Sequence, residues 1–107
     1  MIINDERTEA ERKTHTLLVV MTDKFMSGWG KAANGLSLAA WACTPDTLPQ
    51  AERWVRSRTD ARRVRVVVDD GKANRYRPRG NGHLHIYVVR EGHPATRFGG
   101  WVSDSNI

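Results

Sequence analysis

Cysteine is nearly absent from this chain, which has 107 residues and a single cysteine, Cys43. One cysteine cannot form an internal disulfide, and it cannot supply the set of thiolates that a structural zinc site needs. Nothing in the sequence around Cys43 supplies a base that would lower the pKa of its thiol, so we expect an inert, semi-buried side chain. These absences favour a cytoplasmic protein whose fold depends on its hydrophobic core.

Long apolar segments are missing too. Runs such as Leu17–Met21 are far shorter than the roughly 20 residues that cross a bilayer as a helix. The acidic N-terminus lacks the basic start and the apolar region of a signal peptide. The hydrophobic content of 39% and the charged content of 27% are typical of a folded globular domain. We therefore expect one domain that makes no contact with a membrane.

The common catalytic signatures are also lacking. No serine lies in a G-x-S-x-G context, and no cluster of carboxylates suggests two-metal chemistry. The glycines Gly28, Gly30 and Gly35 lead into a predicted strand, whereas a phosphate-binding loop leads into a helix. The sequence therefore predicts no catalytic residue, no cofactor and no metal, and the chain is interpreted as a protein that is not an enzyme.

What is present predicts an α+β fold. Segments rich in β-branched or alternating apolar residues indicate strands, and they are His15–Thr22, Leu36–Cys43, Arg62–Asp69 and His83–Arg90. A helix is expected within Thr44–Arg58, where Leu48, Ala51 and Val55 share one face with Trp54 at its edge, after a cap at Asp46 or Thr47. The order β-β-α-β-β, with a further strand possible near the C-terminus, predicts a mainly antiparallel sheet covered on one face by one helix.

Residues 1–14 are polar and have no sustained apolar stripe. We expect them to form a flexible N-terminal arm that adds nothing to the core. Residues 15–107 would then make up the single domain.

Basic residues are concentrated in one part of the chain. Residues 1–52 contain 5 basic and 7 acidic side chains, whereas residues 53–97 contain 12 basic and 4 acidic ones, so the second segment carries about +8 (12 minus 4). A field of this sign attracts polyanions. Nucleic acid or a nucleoprotein complex is the expected partner, with an acidic host protein as another possibility, and the protein is expected to be a monomer or a homodimer.

Strand alternation predicts an exposed sheet face that carries these charges. Guanidinium groups that contact phosphates, beside rings that stack on bases, are typical of nucleic-acid-binding sheets. The candidate residues on the face and in the adjoining loop are Arg63, Arg65, Arg75, Arg77, Arg79, His83, His85 and Tyr87, with Trp41 as a further candidate and with Arg53 and Arg56 on the helix. The same composition also fits an ordinary polar face of an antiparallel sheet.

Two alternatives remain open. His83 and His85 are two residues apart on a predicted strand and could act as acid and base on a phosphodiester, or could bind a metal with a third ligand such as His93, Asp69, Asp70 or Glu91. Their spacing matches no metal motif. Phe25 and Trp29, in a glycine-rich loop, could instead anchor a protein partner, which would make the chain an adaptor.

The segments D-K-F-M-S-G-W-G-K-A, residues 23–32, and A-E-R-W-V-R-S-R-T-D-A-R-R-V-R-V, residues 51–66, resemble parts of small uncharacterised proteins of bacteriophages and mobile elements. The resemblance covers about the central half of the chain and implies a protein that works in a bacterial host cell. Small basic phage proteins include inhibitors of host defence such as anti-CRISPR proteins, which bind and block a nucleoprotein complex. By this analogy, the chain would be an anti-defence inhibitor.

Overall fold

The computed structural model describes residues 2–23, 36–58, 61–71, 75–77 and 82–90. Its elements are five strands and two helices in the described residues, namely β1 (Ile2–Asp5), α1 (Glu11–Thr14), β2 (Leu17–Asp23), β3 (Leu36–Cys43), α2 (Leu48–Arg56), β4 (Ala61–Val68) and β5 (Gly82–Val88). The four strands and the helix expected from the sequence are all present, with bounds that differ by at most a few residues. The α+β prediction is confirmed.

The strands form one mixed sheet in the order β1-β5-β3-β2-β4. β2 pairs antiparallel with both β3 and β4, whereas β5 pairs parallel with both β1 and β3. The expectation of a mainly antiparallel sheet was therefore wrong. After β3 the chain passes through α2 and then through β4 at the far edge of the sheet. It returns as β5, which lies beside β3 and runs in the same direction, and parallel neighbours require a long connection of this kind.

Hydrophobic residues cover both faces of the sheet. On the face covered by α2, here called the helix face, the buried residues are Val19, Met21, Ala39, Trp41, Cys43, Tyr87 and Val89, which pack with Ala51, Trp54 and Val55 of the helix. On the second face they are Leu18, Val20, Leu38, Ala40, Ala42, Leu84 and Ile86, with Val67 and Tyr76 packed against them. Burial on both faces explains why β2 and β3 are almost continuously apolar in sequence.

This arrangement corrects two sequence expectations about orientation. Trp41 and Tyr87, expected on an exposed face, are 1% and 3% exposed because α2 covers that face. Val66 and Val68 alternate with the arginines that were expected on the exposed face, which predicts an inward orientation for both valines, but they are 36% and 47% exposed. Both valines lie on β4, an edge strand among those described, and they are more exposed than Val64 of the same strand, which packs against the helix-face cluster.

β4 also contains a bulge. Its pairing with β2 shifts register between Val20 and Thr22, since Arg65 lies opposite Val20 but Arg62 lies opposite Thr22. Arg63, within the shift, has a φ of 49°, the left-handed conformation that one residue of a bulge can adopt. The extra residue means that simple alternation fails to assign faces along the whole strand.

The N-terminal segment belongs to the fold, which corrects the expectation of a flexible arm. β1 pairs with β5 over four residues, and α1 follows it. Thr8 and Glu11 exchange the two hydrogen bonds of a capping box: the Thr8 amide donates to Glu11 Oε1 at 2.9 Å and the Glu11 amide donates to Thr8 Oγ1 at 3.1 Å. This T-x-x-E signal was readable in the sequence.

The helix α2 buries the residues that its periodicity predicts, namely Ala51, Trp54 and Val55. Its cap differs from the expectation, because Thr47 precedes the helix without a side-chain capping hydrogen bond. The Thr47 hydroxyl instead accepts a hydrogen bond from the Thr44 amide at 3.1 Å. Pro49 lies in the first turn, where it removes no intrahelical hydrogen bond.

Candidate nucleic-acid interface

The sheet register decides which of the predicted binding residues share a face. Arg65 lies opposite Val20, Val20 lies opposite Ala40, and Ala40 lies opposite Ile86. Directly opposed residues point to the same side of a sheet, so Arg65 is on the second face together with Ile86. His85 is adjacent to Ile86 and therefore lies on the helix face. The expected single surface of Arg65 with His83, His85 and Tyr87 is wrong.

Distance separates the two groups as well. β2 and β3 lie between β4 and β5 in the sheet, so the two strands are roughly 14 Å apart at the usual interstrand spacing. Tyr87 is in addition buried, with its ring stacked on Trp41 at 5.4 Å and on His85 at 4.1 Å between centroids. We conclude that Tyr87 is a core residue whose ring is not accessible to a nucleic-acid base.

A different basic group forms around Tyr76. Arg65 Nη2 donates a hydrogen bond to the Tyr76 hydroxyl at 2.8 Å, and the guanidinium carbon lies 5.8 Å from the centre of the Tyr76 ring. The Tyr76 ring is half-buried and packs against the hydrophobic cluster of the second face. These contacts fix the segment 75–77 against β4, although the two are separated along the chain by the turn at Gly71.

Four exposed arginines lie on β4 or next to Tyr76 in the chain. We define the β4 basic surface as Arg63 and Arg65 of β4 with Arg75 and Arg77, the two neighbours of Tyr76, all of which are exposed. Arginine forms bidentate hydrogen bonds with phosphate and stacks on flat rings. These arginines were predicted from the sequence but Tyr76 was not, although its position within R-Y-R was an available signal.

The other predicted binding residues lie elsewhere. Arg53 and Arg56 are exposed on α2, which covers the opposite side of the sheet. Arg56 Nη2 is 2.9 Å from Glu52 Oε2 in an i,i+4 ion pair. Arg79, Phe25 and Trp29 lie outside the described residues, so the predictions made for them stay predictions.

A cleft extends the β4 basic surface toward the N-terminus. It encloses about 170 Å³ and is lined by Arg7, Glu9, Arg12, Lys13, Asp69, Asp70, Gly71 and Arg75. Arg75 is shared by the cleft and the β4 basic surface, and Arg12 and Lys13 are exposed at the cleft. Neither residue was predicted as a binding residue, because residues 1–14 were expected to form a flexible arm.

The floor of this cleft is a buried ion triad. Arg7 Nη2 lies 2.8 Å from Asp5 Oδ2 and 2.9 Å from Asp69 Oδ2, and Arg7 Nη1 donates to the His15 carbonyl at 2.9 Å. Burial tends to raise the pKa of Asp5, but the hydrogen bonds and charge of Arg7 outweigh it and hold that pKa below its ordinary value. Burial tends to lower the pKa of Arg7, and hydrogen bonds to both carboxylates raise it overall.

The two histidines occupy different environments on β5. His83 is exposed, whereas His85 Nε2 contacts the Glu6 carboxylate and His85 Nδ1 lies 3.4 Å from Asn4 Nδ2. Both ring nitrogens of His85 therefore have a partner from β1 or the residue after it, which favours a role in holding β1 to β5. Across the residues that the structure describes, no three His, Cys, Asp or Glu side chains are grouped to hold a metal ion.

Cys43 is fully buried beneath α2 and its thiol lies 3.4 Å from the Leu17 carbonyl oxygen. Burial, with a smaller contribution from the negative charge of Glu52, raises the pKa of Cys43 to about 12. The thiol is therefore protonated at neutral pH, and a protonated thiol is a poor nucleophile.

Glu11 forms an exposed ion pair that links α1 to the end of β5. Arg90 Nε lies 2.8 Å from Glu11 Oε2, and Arg90 Nη2 donates to Glu11 Oε1 at 2.9 Å. The hydrogen bonds from Arg90, with those from Thr8, lower the pKa of Glu11 to about 2. The paired carboxylate thus joins two elements that are distant in sequence.

We expect this pair to make stability depend on pH in the acid range. A depressed pKa in the folded state means that ionised Glu11 stabilises the fold above the ordinary pKa of 4.5, and that this stabilisation is lost as the pH falls toward about 2. The variant Glu11→Gln retains an acceptor for the Thr8 amide but not the charge. Urea denaturation from pH 7 to pH 2 should therefore show the difference between wild type and Glu11→Gln shrinking below about pH 4.5; a constant difference would contradict the expectation.

No protein-family model, no curated protein and no solved structure matches the chain. Among the described residues, no helix has the length and apolar character needed to cross a membrane. The interpretation of function therefore depends on the geometry of the chain itself.

Proposed function

We propose that this protein is a non-enzymatic binding protein that engages nucleic acid, free or within a nucleoprotein complex, through the β4 basic surface. The observation that carries the proposal is the Arg65–Tyr76 contact. It fixes the segment that carries Arg75 and Arg77 beside Arg65 of β4, so positive charge from two separate chain segments is gathered near one aromatic ring.

The arrangement suits a phosphate backbone better than a single small anion. The four guanidinium groups are exposed, and phosphate contacts by exposed arginines supply most of the affinity in sequence-independent binding. The adjoining cleft adds Arg12 and Lys13 but also the carboxylates of Glu9 and Asp70, so we expect it to contribute less to phosphate binding than the β4 basic surface. Contacts with backbone phosphates position a nucleic acid without reading its sequence, so we expect little sequence specificity from this surface alone.

The biological role that we propose is obstruction or modulation of the bound complex in the cytoplasm of a bacterial host cell. It is supported by the resemblance of residues 23–32 and 51–66 to small phage and mobile-element proteins, and by analogy with anti-CRISPR inhibitors. An acidic host protein could occupy the same surface through the same guanidinium groups, and the experiment below distinguishes it from nucleic acid.

The test is a binding titration with fluorescent single-stranded and double-stranded DNA and RNA across a salt series. For the wild type, log affinity should fall linearly with log salt concentration, because phosphate contacts release counterions. In the variant Arg75→Ala/Arg77→Ala, the plot of log affinity against log salt should be less steep by about 2, since each lost phosphate contact removes roughly one unit of slope. The affinity at low salt should fall by roughly tenfold or more.

The matched control is Arg53→Ala/Arg56→Ala, which removes the same net charge from α2 on the other side of the sheet. Its slope should stay near that of the wild type. Equal losses in the two variants would show a diffuse charge effect and contradict the β4 basic surface. If no free nucleic acid binds, direct binding of free nucleic acid is excluded. A preassembled nucleoprotein complex and an acidic protein are then tested by capture with the same pair of variants, and equal capture by both variants would contradict the β4 basic surface.

The two alternatives raised by the sequence have less support. An acid and base pair at His83 and His85 would need accessible ring nitrogens, whereas those of His85 contact Glu6 and Asn4. A protein-only adaptor would use Phe25 and Trp29, which lie outside the described residues.

A further inference from the structure

β4 is an edge of the sheet formed by the described strands, and the direction of its peptide groups can be deduced. The Asp69 amide donates to the Thr16 carbonyl of the β2 side at 2.8 Å. Peptide groups alternate in direction along an antiparallel strand. The peptide groups that point toward β2 are therefore those of Arg65, Val67 and Asp69. The peptide groups of Val66 and Val68 point away from β2. No described strand lies on that side of β4.

The side chains of the same two residues are also exposed. Val66 and Val68 are 36% and 47% exposed on the helix face, next to the partly buried Val64. A strand edge with free peptide groups and exposed β-branched side chains is a template for a further strand. The opposite edge is weaker as a template, since β1 has only four residues.

We propose that β4 pairs antiparallel with β4 of a second copy, about a twofold axis that passes beside Val66. In this register Val66 lies opposite Val66, Val64 opposite Val68, and Arg65 opposite Val67 of the second copy. Apolar side chains thus meet on the helix face, and no arginine lies directly opposite another. The paired Val66 residues exchange both backbone hydrogen bonds, as residues with outward peptide groups can.

The neighbouring registers are less favourable. An axis beside Arg65 would place the two Arg65 side chains directly opposite each other, and like charges in that position are destabilising. An axis beside Val67 would place Val64 opposite the exposed Asp70 of the second copy instead of opposite Val68, so an apolar side chain would meet a carboxylate. Of these three registers, the one centred on Val66 is therefore favoured, because it brings valines together and separates the arginines.

The dimer does not depend on the proposed function, but it would extend the surface that function uses. The rotation preserves the faces of the sheet, so the Arg65 and Tyr76 groups of both copies would lie on the same side of a continuous ten-stranded sheet. A long polyanion could then contact both copies at once.

The first measurement is sedimentation velocity of the full chain over a wide range of concentrations, with wild type compared with Val66→Pro. Proline removes the amide hydrogen that points outward and leaves the hydrogen bonds to β2 intact, a position that edge strands tolerate. We expect the wild type to shift from monomer to dimer and Val66→Pro to raise the dissociation constant by roughly tenfold or more, through two lost hydrogen bonds. A wild type that stays monomeric, or a folded Val66→Pro that dimerises equally well, would overturn the proposal.

Cross-linking tests the register. The variant Val66→Cys, treated with a short bismaleimide, should form a covalent dimer, because Val66 lies opposite itself at the axis and Cys43 is fully buried. Ile2→Cys is the matched control, since Ile2 is 61% exposed on the opposite edge. Equal or preferential cross-linking through Ile2→Cys would overturn the assignment to β4. Melting curves for each variant separate a loss of association from a loss of folding.

Discussion

Replacing Arg7 with alanine is expected to lower the free energy of unfolding by about 3–5 kcal/mol, the usual cost of removing one partner from a buried ion pair. Arg7 is 6% exposed, and its guanidinium contacts Asp5, Asp69 and the His15 carbonyl. Without it, the Asp5 and Asp69 carboxylates lose the one side chain that contacts both of them. A loss of this size is a large fraction of the roughly 5–15 kcal/mol by which domains are stable.

Urea denaturation at pH 7 measures this loss, and Arg12→Ala is the matched control. Arg12 Nε also lies near Asp5, at 3.6 Å, but the Arg12 side chain is 47% exposed. An exposed ion pair contributes about 0–1 kcal/mol, so the control should be close to wild type. Equal losses in the two variants would contradict a buried triad and would indicate a general effect of charge.

The same variant should respond to acid in the opposite direction from the wild type. Arg7 holds the pKa of Asp5 below its ordinary value. In the wild type, ionised Asp5 therefore stabilises the fold at any pH above that ordinary pKa, and this stabilisation is lost only as the pH falls below it. In Arg7→Ala, burial would raise the pKa of Asp5. Protonation of Asp5 as the pH falls would then remove the cost of burying an ionised carboxylate without its cation. The difference in unfolding free energy between the two proteins should therefore narrow from pH 7 toward pH 4.

The elements predicted correctly are those whose signal is local. β3 was expected at Leu36–Cys43 and has those bounds, and α2 buries the residues that its 3.6-residue period selects. Alternation or helical periodicity within eight or nine residues was sufficient in both cases. The order of strands in the sheet depends on contacts between distant segments, and no local pattern indicated that β5 would return parallel to β3.

β1 shows why weak local signals mislead. Two isoleucines in a polar segment do not predict a strand, and both are exposed in the structure. β1 forms because β5 offers its edge and because Arg7, just after β1, reaches Asp69 across 62 positions of sequence. The T-x-x-E capping box of Thr8 and Glu11 was the one local signal of structure there.

The binding site was only partly predictable for a related reason. Alternation predicts which residues of one strand share a face. To predict which residues of different strands share a face, the pairing register between the strands must also be known. Arg65 and His85 each alternate correctly within their own strands, yet the pairings through β2 and β3 place them on opposite sides. Tyr76 lies outside any strand, so its contact with Arg65 could not be deduced from periodicity.

Replacing Trp41 with alanine is the second substitution with a large expected effect, about 3–5 kcal/mol of unfolding free energy for truncating a buried aromatic side chain. Trp41 is 1% exposed. Its ring meets Trp54 edge to face at 5.4 Å and stacks with Tyr87 at 5.4 Å, and the Arg58 guanidinium lies 5.2 Å from its centre. The helix α2 and the strands β3 and β5 all lose contacts when this side chain is removed.

Trp41→Phe is the matched control, because phenylalanine retains an aromatic ring between Trp54 and Tyr87 and should cost less than half as much as alanine. Binding measured where each variant is folded separates the two roles considered for this residue. A core residue leaves the salt dependence of nucleic-acid binding unchanged in both variants, whereas a stacking residue on the interface would weaken binding in Trp41→Ala. We expect the first result, because the Trp41 ring is covered by α2 and can contact a base only if the helix separates from the sheet. The free energy of unfolding that is lost on truncation reports how much this side chain contributes to the packing of α2 on the sheet.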